Sequence, residues 1–223
     1  MTILRRAAAA AACGLVAACA PILHPAIPGT APAGDDAPPI ATPAESPAPM
    51  GVWTPGDAAM DADASWLLAT RLLVPVRGVP AAKIEDSFDA PRDGGRRHDA
   101  VDILAPRGTP VLAAIDGTVL RVGTNALGGN VIWMADAERR FACYYAHLDR
   151  YARGVRAGNT VQRGDVLGFV GTTGNAPPDV PHLHFQVMRI TDAARWWNGT
   201  PVDPVPFLSD AATVAQSARG REP

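Results

Sequence analysis

Four of the five histidines in this 223-residue chain fall in three short motifs. His98 is followed four residues later by Asp102, His147 lies in Tyr145-Ala146-His147-Leu148, and His182 and His184 flank Leu183. Neutral imidazole is the commonest metal ligand and the usual general acid or base near neutral pH. The three motifs together can therefore build one site. The fifth histidine, His24, sits among prolines and has no comparable neighbours.

In an extended strand successive side chains alternate faces. His182, His184 and Gln186 then share one face, and Leu183, Phe185 and Val187 point into a core. The two imidazoles lie ~6.5–7 Å apart at Cα, so one can bind a metal while the other reaches a substrate atom beside it. Alternation does not say which does which. Two imidazoles and the Asp102 carboxylate form a three-ligand set, which leaves a fourth zinc position for water and lowers its pKa to roughly 7. By the same alternation Tyr145 and His147 share a face, and His147 could take a proton from water or stabilise a developing oxyanion. Each motif also has a plainer reading: a basic loop at Arg96-Arg97-His98, paired surface histidines at 182 and 184, a strand-end cap at His147. Cys143 has the parity of His147, but a lone cysteine inside Phe141-Ala-Cys-Tyr-Tyr145 reads as a small buried hydrophobe. A fourth protein ligand would also close the site to water.

The elements that must position these residues are short. Residues 57–84 read as one helix, over 57–73, and a connector: acids come early, Pro75 stops the pattern, and Met60, Trp66, Leu67 and Leu73 are available to pack on the domain C-terminal to it. From about 85 to 208, β-rich runs alternate with Gly and Pro punctuation. The candidate strands are 111–122, 130–135, 140–147, 160–162, 166–170 and 182–189. With no helical period between them, the expected fold is mostly β, a compact antiparallel sheet domain with a short N-terminal helix. Residues 209–223 read as a flexible tail.

The N-terminal quarter, residues 1–56, is of another kind. Arg5 and Arg6 precede an apolar run from Ala7 to Leu15, too short for the roughly 20 residues that span a bilayer, so residues 1–18 read as an export signal. Val16-Ala17-Ala18-Cys19 looks like a bacterial lipobox, with cleavage before Cys19 and lipid on that residue; an ordinary signal cut near Ala18 or Ala20 is the other reading. Loss of residues 1–18 removes two arginines and no acid, moving the net charge from −2 to −4. That balance argues against a nucleic-acid partner, which wants a basic face. Of the three cysteines only Cys143 then remains free to pair, so the mature chain has no intrachain disulfide. Residues 19–56 carry ten prolines and read as a tether of polyproline character, on the order of 100 Å long if fully extended.

His98-x3-Asp102, Tyr145-x-His147-Leu148 and His182-Leu183-His184-Phe185, in that order, resemble the lysostaphin-type zinc metallopeptidases, the M23 family of peptidoglycan endopeptidases. The resemblance runs from about Asp86 to Pro206. It includes Asp86-Ser-Phe88, the stretch from Asp102 to Val111, Asp116-Gly-Thr-Val119, Gly128-Gly129, Arg163 to Gly168, and Gly171-Thr-Thr-Gly-Asn175. It implies one zinc ion per domain held by His98, Asp102 and His184, with His147 and His182 as the unliganded catalytic pair beside the metal-activated water. Ala100 and Asp89 stand where the family often has glycine, and a methyl at Ala100 narrows the backbone conformations open there.

The resemblance implies a monomeric endopeptidase acting on peptide crosslinks of peptidoglycan. With the Cys19 anchor and tether, it would face the periplasm from a membrane, the outer one rather than the inner because Ala20 is not aspartate. A second reading within the family is a non-catalytic member that binds and activates a cell-wall amidase; such members generally lack part of the metal set, which here is complete. Trp196-Trp197-Asn198-Gly199 and the segment from Pro201 to Leu208 look particular to a subgroup; their aromatics read first as packing, with lining of the groove as the other reading.

Overall fold

The computed structural model describes residues 58–212, excepting the side chains of residues 58–61 and of Asp93. The export signal, Cys19, the proline-rich tether and residues 213–223 lie outside the described residues. In chain order the elements are α1 (Ala58–Thr70), β1 (Leu72–Leu73), β2 (Pro91–Arg92), β3 (Arg96–Arg97), β4 (Val101–Leu104), β5 (Pro110–Leu112), β6 (Gly117–Asn125) and β7 (Gly129–Ala135). They continue with β8 (Phe141–Tyr151), β9 (Thr160–Val161), β10 (Val166–Val170), β11 (His182–Arg189), β12 (Thr200–Val202) and β13 (Leu208–Ser209).

Nine of these strands form one antiparallel sheet, whose spine runs β12-β11-β8-β7-β6-β9. β11 is its organiser. One edge pairs with β8, from His184↔Ala146 to Arg189↔Phe141. The other is shared, the first half pairing with β4 and the last three residues with β12. β10 lies along the far half of β8 and carries β5 on its other side. The mostly β, antiparallel expectation holds, with a small parallel pair between β1 and β13 as the exception.

The period-2 pattern of β11 produces its burial. Leu183, Phe185 and Val187 are fully buried in the main core, with Tyr145, Ile132, Met134 and Leu167. Each large apolar side chain removed from water there contributes about 1.5–3 kcal/mol. Tyr145 adds a ring contact to Phe185 at 5.2 Å. Its buried hydroxyl is satisfied, accepting from Ala114 N at 3.0 Å and donating to Met134 Sδ at 3.3 Å. The sheet's other face carries a smaller cluster around Trp133, Tyr144 and Met188.

The helix ends at Thr70, three residues before the expected stop. Arg71 adopts φ +52, and Leu72-Leu73 turn into β1 against Leu208, the last residue of the expected domain, and Ser209, the first of the expected tail. Both leucines are buried, so burial of a strand pair overrides helix propensity there. Leu67 enters the main core and Trp66 stacks on Phe141 at 5.1 Å, beneath the Arg140 guanidinium. α1 thus packs on the face opposite His182 and His184 and leaves their side of the sheet uncovered. Met60, also expected to pack, lies among the side chains outside the described set.

β4 was not among the expected strands, although it carries Asp102. The expected run 111–122 is two elements, β5 and β6, broken at 113–116.

Candidate metal centre

Register brings the first two polar groups together. Asp102 of β4 lies directly opposite His184 of β11, and His184 Nδ1 is 3.1 Å from Asp102 Oδ1. His98 reaches the same point from the turn before β4. Its amide donates to Ala90 O at 2.9 Å, and the next residue, Asp99, takes the left-handed conformation at φ +53. Aspartate tolerates that region better than most residues. Ala100 is buried with an ordinary backbone conformation, so its methyl is accommodated where glycine is common.

His98 Nε2 then stands 3.0 Å from Asp102 Oδ1 and 3.0 Å from His184 Nδ1. The three donor atoms form a nearly equilateral triangle. A tetrahedral zinc ion with ligand bonds of ~2.0–2.1 Å has donor–donor edges of about 3.3 Å, so the triangle fits such an ion within a few tenths of an ångström. Two nitrogen lone pairs and a carboxylate oxygen converging this closely also favour a cation between them. Among the described residues, His98, Asp102 and His184 are the group with metal-binding geometry.

The tautomers are set by backbone carbonyls, which only accept. His98 donates from Nδ1 to Ser87 O at 2.9 Å, leaving the Nε2 lone pair for the centre. His147 donates from Nδ1 to Thr173 O at 2.8 Å, and His182 to Val180 O at 2.8 Å. Such outer hydrogen bonds fix ring orientation and basicity at metal sites. The His147 and His182 rings meet edge-on at 4.8 Å between centroids, and His182 Nε2 is 3.8 Å from Asp102 Oδ1. His147 is 5.6 Å, ring to ring, from His184. All four histidines of the motifs are therefore in one place.

His147 does not arrive by alternation. Three residue steps on β8, from Tyr145 to Leu148, are spanned by two on β7, from Ile132 to Asn130. This is a β-bulge, with His147 at φ +60. Tyr145 and Leu148 both enter the core, and Ala146 and His147 lie between them on the opposite face. The expectation that Tyr145 and His147 share a face is therefore wrong. Cys143, given the same parity, is fully buried on the core side, and burial pushes its thiol up to about 12.

The bulge is held by residues that motif reading did not single out. Asn130 Nδ2 donates to Leu148 O and Asp149 O, Gly128 O accepts from His147 N at 2.7 Å, and Thr173 Oγ1 donates to Leu148 O. Ser87 serves the metal side twice: its carbonyl takes the His98 ring N–H, and its hydroxyl accepts from Asp102 N at 3.2 Å. Ser87, Gly128 and Thr173 all occur in framework segments of the resemblance, which was the available signal for them.

Burial opposes the Asp102 charge, yet its close contacts with the His184 and His98 rings hold its carboxyl well below the usual carboxylate range. Burial, helped by the neighbouring His184, lowers His147 to about 4, so it is a neutral imidazole near pH 7. Burial also depresses His184.

Arg92, from the β2–β3 hairpin, donates from Nη2 to Asp102 Oδ2 at 2.5 Å. Oδ1 alone then faces the two imidazoles. Arg92→Ala frees the carboxylate to rotate, and zinc affinity measured by competition with a chromophoric chelator is expected to fall about 10–100-fold. An unchanged affinity would show that Arg92 does not orient the ligand.

Residues 96–204 match the family model described as Peptidase family M23. Among curated relatives, an L-Ala–D-Glu endopeptidase of Bacillus subtilis (strain 168) is 36% identical over 126 residues, covering 54% of this chain and 37% of the relative. The chain spans about a third or less of the length of the curated relatives it matches. Among solved structures, the catalytic domain of the antimicrobial peptidase lysostaphin from Staphylococcus simulans is 35% identical, covering 52% of this chain and 80% of that one, with a TM-score of 0.45. A zinc-containing peptidase from Vibrio cholerae is 28% identical, covering 55% of this chain and 34% of that one, with a TM-score of 0.43. The family match takes in all four site histidines, so residues 96–204, which carry the candidate metal centre, are the M23-like region of this chain.

Proposed function

We propose that this chain is a zinc-dependent endopeptidase that hydrolyses peptide crosslinks of bacterial peptidoglycan. The observation that carries the reading is the triangle of His98 Nε2, Asp102 Oδ1 and His184 Nδ1, with edges of 3.0–3.1 Å, beside two further imidazoles. His98, Asp102 and His184 hold the ion in this reading. Zinc supplies Lewis acidity there, polarising a carbonyl and acidifying a water.

His147 and His182 do the proton work. Their Nδ1 atoms are committed to backbone carbonyls, so Nε2 is the free nitrogen of each. A neutral His147 can accept a proton from the attacking water. The adjacent His182 offers the second free Nε2, so the one proton taken from the water can be held by either ring, where it stabilises the oxygen on which charge develops, and is then returned to the leaving amine. Burial of both rings keeps competing water from these steps.

The relative named L-Ala–D-Glu endopeptidase supports a cell-wall peptide as substrate. The anchor belongs to the same proposal: export, lipid on Cys19, and a tether over residues 19–56 carrying a monomeric domain, residues 85–208, towards the wall from the outer membrane. The test is to incubate the full-length, zinc-loaded protein with isolated sacculi, with and without a chelator, and to weigh the released muropeptides. New chelator-sensitive products are expected; none from folded, zinc-loaded protein would sink the enzyme reading. The mass of the mature protein reports the anchor, since an unacylated chain overturns it.

A further inference from the structure

The metal-facing side of the sheet continues away from the centre as a run of aromatic rings. Tyr144 of β8 meets His184 edge-on at 6.0 Å between centroids. Trp133 of β7 lies on Tyr144 at 4.2 Å, Trp196 meets Trp133 at 5.4 Å, and Trp197 meets Trp196 at 5.3 Å. The segment between β11 and β12 therefore folds back over the metal-facing side of the sheet. Trp133 and Tyr144 are nearly covered, whereas Trp197 stays 38% exposed at the end of the run.

Trp197 is one of four large apolar side chains exposed among the described residues. The others are Leu68 on α1, behind the sheet, and Leu104 and Val180, both beside His182. Beneath the tryptophans lie Val131, Ala142, Ala146 and Met188, while Arg121 stands opposite Trp133 in the strand register. Asp192 and Arg195, the charged pair of the same segment, neutralise each other at 2.9 Å. The far end of the run is thus an exposed indole, continuous with the candidate metal centre through a chain of ring contacts and braced by two further indoles.

We propose that Trp197, backed by Trp196 and Trp133, is a stacking platform for a neutral N-acetylated sugar of the glycan strand that carries the scissile peptide. This rests on the reading of the metal centre as a peptidoglycan peptidase. The shape of the exposed ring selects the occupant: an N-acetylated pyranose ring presents a flat C–H face that can lie on an indole plane, a match that the carboxylates of a stem peptide do not make. Reach agrees. Four ring-to-ring steps of 4.2–6.0 Å keep Trp197 within about six extended residues of His184 at ~3.5 Å per residue, the scale of a stem peptide between crosslink and sugar. Bracing by Trp196 reduces the ordering cost of binding.

The test uses two substrates: a crosslinked muropeptide dimer bearing its disaccharides, and the same dimer stripped of sugar by an amidase. The full-length, zinc-loaded protein is expected to prefer the sugar-bearing dimer. Trp197→Ala is expected to cut that preference about five-fold, the size of one aromatic contact, mainly through KM, and Trp197→Phe to retain most of it. Leu68→Ala, on the other side of the sheet, serves as the unaffected control. Equal losses on both substrates, or none, would overturn the platform and point to a peptide-binding or structural role for Trp197. If neither dimer is cut, the peptidase reading fails, and a tryptophan-fluorescence titration with the N-acetylglucosamine tetramer decides the platform alone. Saturable quenching in the parent chain that Trp197→Ala abolishes supports it; no quenching overturns it.

Discussion

Alanine at His184 is expected to empty the metal centre, whereas alanine at His182 leaves the metal bound and removes turnover. The two residues lie on one strand face two positions apart, yet their distances to the donor triangle differ. His184 Nδ1 is itself a corner, 3.0 Å from His98 Nε2 and 3.1 Å from Asp102 Oδ1. Without it two donors remain, too few to hold an ion through dialysis. His182 Nε2 stands outside, 3.8 Å from Asp102 Oδ1, with its other nitrogen tied to Val180 O. Its loss leaves all three donors in place and is expected to lower kcat about 10²–10⁴-fold, the range for a general acid–base residue. Metal analysis after dialysis and muropeptide release separate the variants. Zinc should also raise the melting temperature of His182→Ala and not of His184→Ala, because a ligand stabilises only the state that binds it. Equal metal content and full activity in both would overturn the assignment.

Gly174→Ala is expected to be the most damaging single methyl. Gly174 has φ +75, and an added Cβ would run into Leu127 O and Gly129 N, both backbone atoms that cannot swing aside. Gly129, at φ +63, is blocked in turn by Thr173 and Gly174, so the two loops interlock. Left-handed strain and the collision together are expected to cost about 3 kcal/mol or more, a drop of about 10 °C in Tm for a domain of this size. The chemical effect is larger than the stability loss, because these loops hold His147 through Gly128 O and Thr173 O. Zinc binding should survive, since the donors sit on β4, β11 and the turn before β4. Gly108→Ala is the comparison: at φ +85 it meets nothing within 4 Å and carries the strain alone. Similar melting temperatures for the two variants would show that the interlock does not matter.

How far the site was legible varied from strand to strand. β11 was legible to the residue: both ends and both faces follow from a two-residue period with apolar Leu183, Phe185 and Val187 between polar positions. β8 was not, because alternation assumes a regular ladder and the extra residue at His147 is set by Asn130, Gly128 and Thr173, distant in sequence. β4 went unseen because four residues carry little pattern, and its pairing partner lies some 80 positions on. The early end of α1 has the same cause, since Leu72-Leu73 find Leu208-Ser209 at the far end of the domain.

The sequence by itself determined which donors exist, in what order, and which face of β11 they share, because residue type and local period are properties of the chain. Only the tertiary structure decided that His98 closes the triangle, that a bulge carries His147 to the metal side, that Arg92 takes the second oxygen of Asp102, and that the tryptophans extend this face. Each depends on pairing between segments far apart in sequence, and such pairing is settled by packing and backbone hydrogen bonding across the whole sheet.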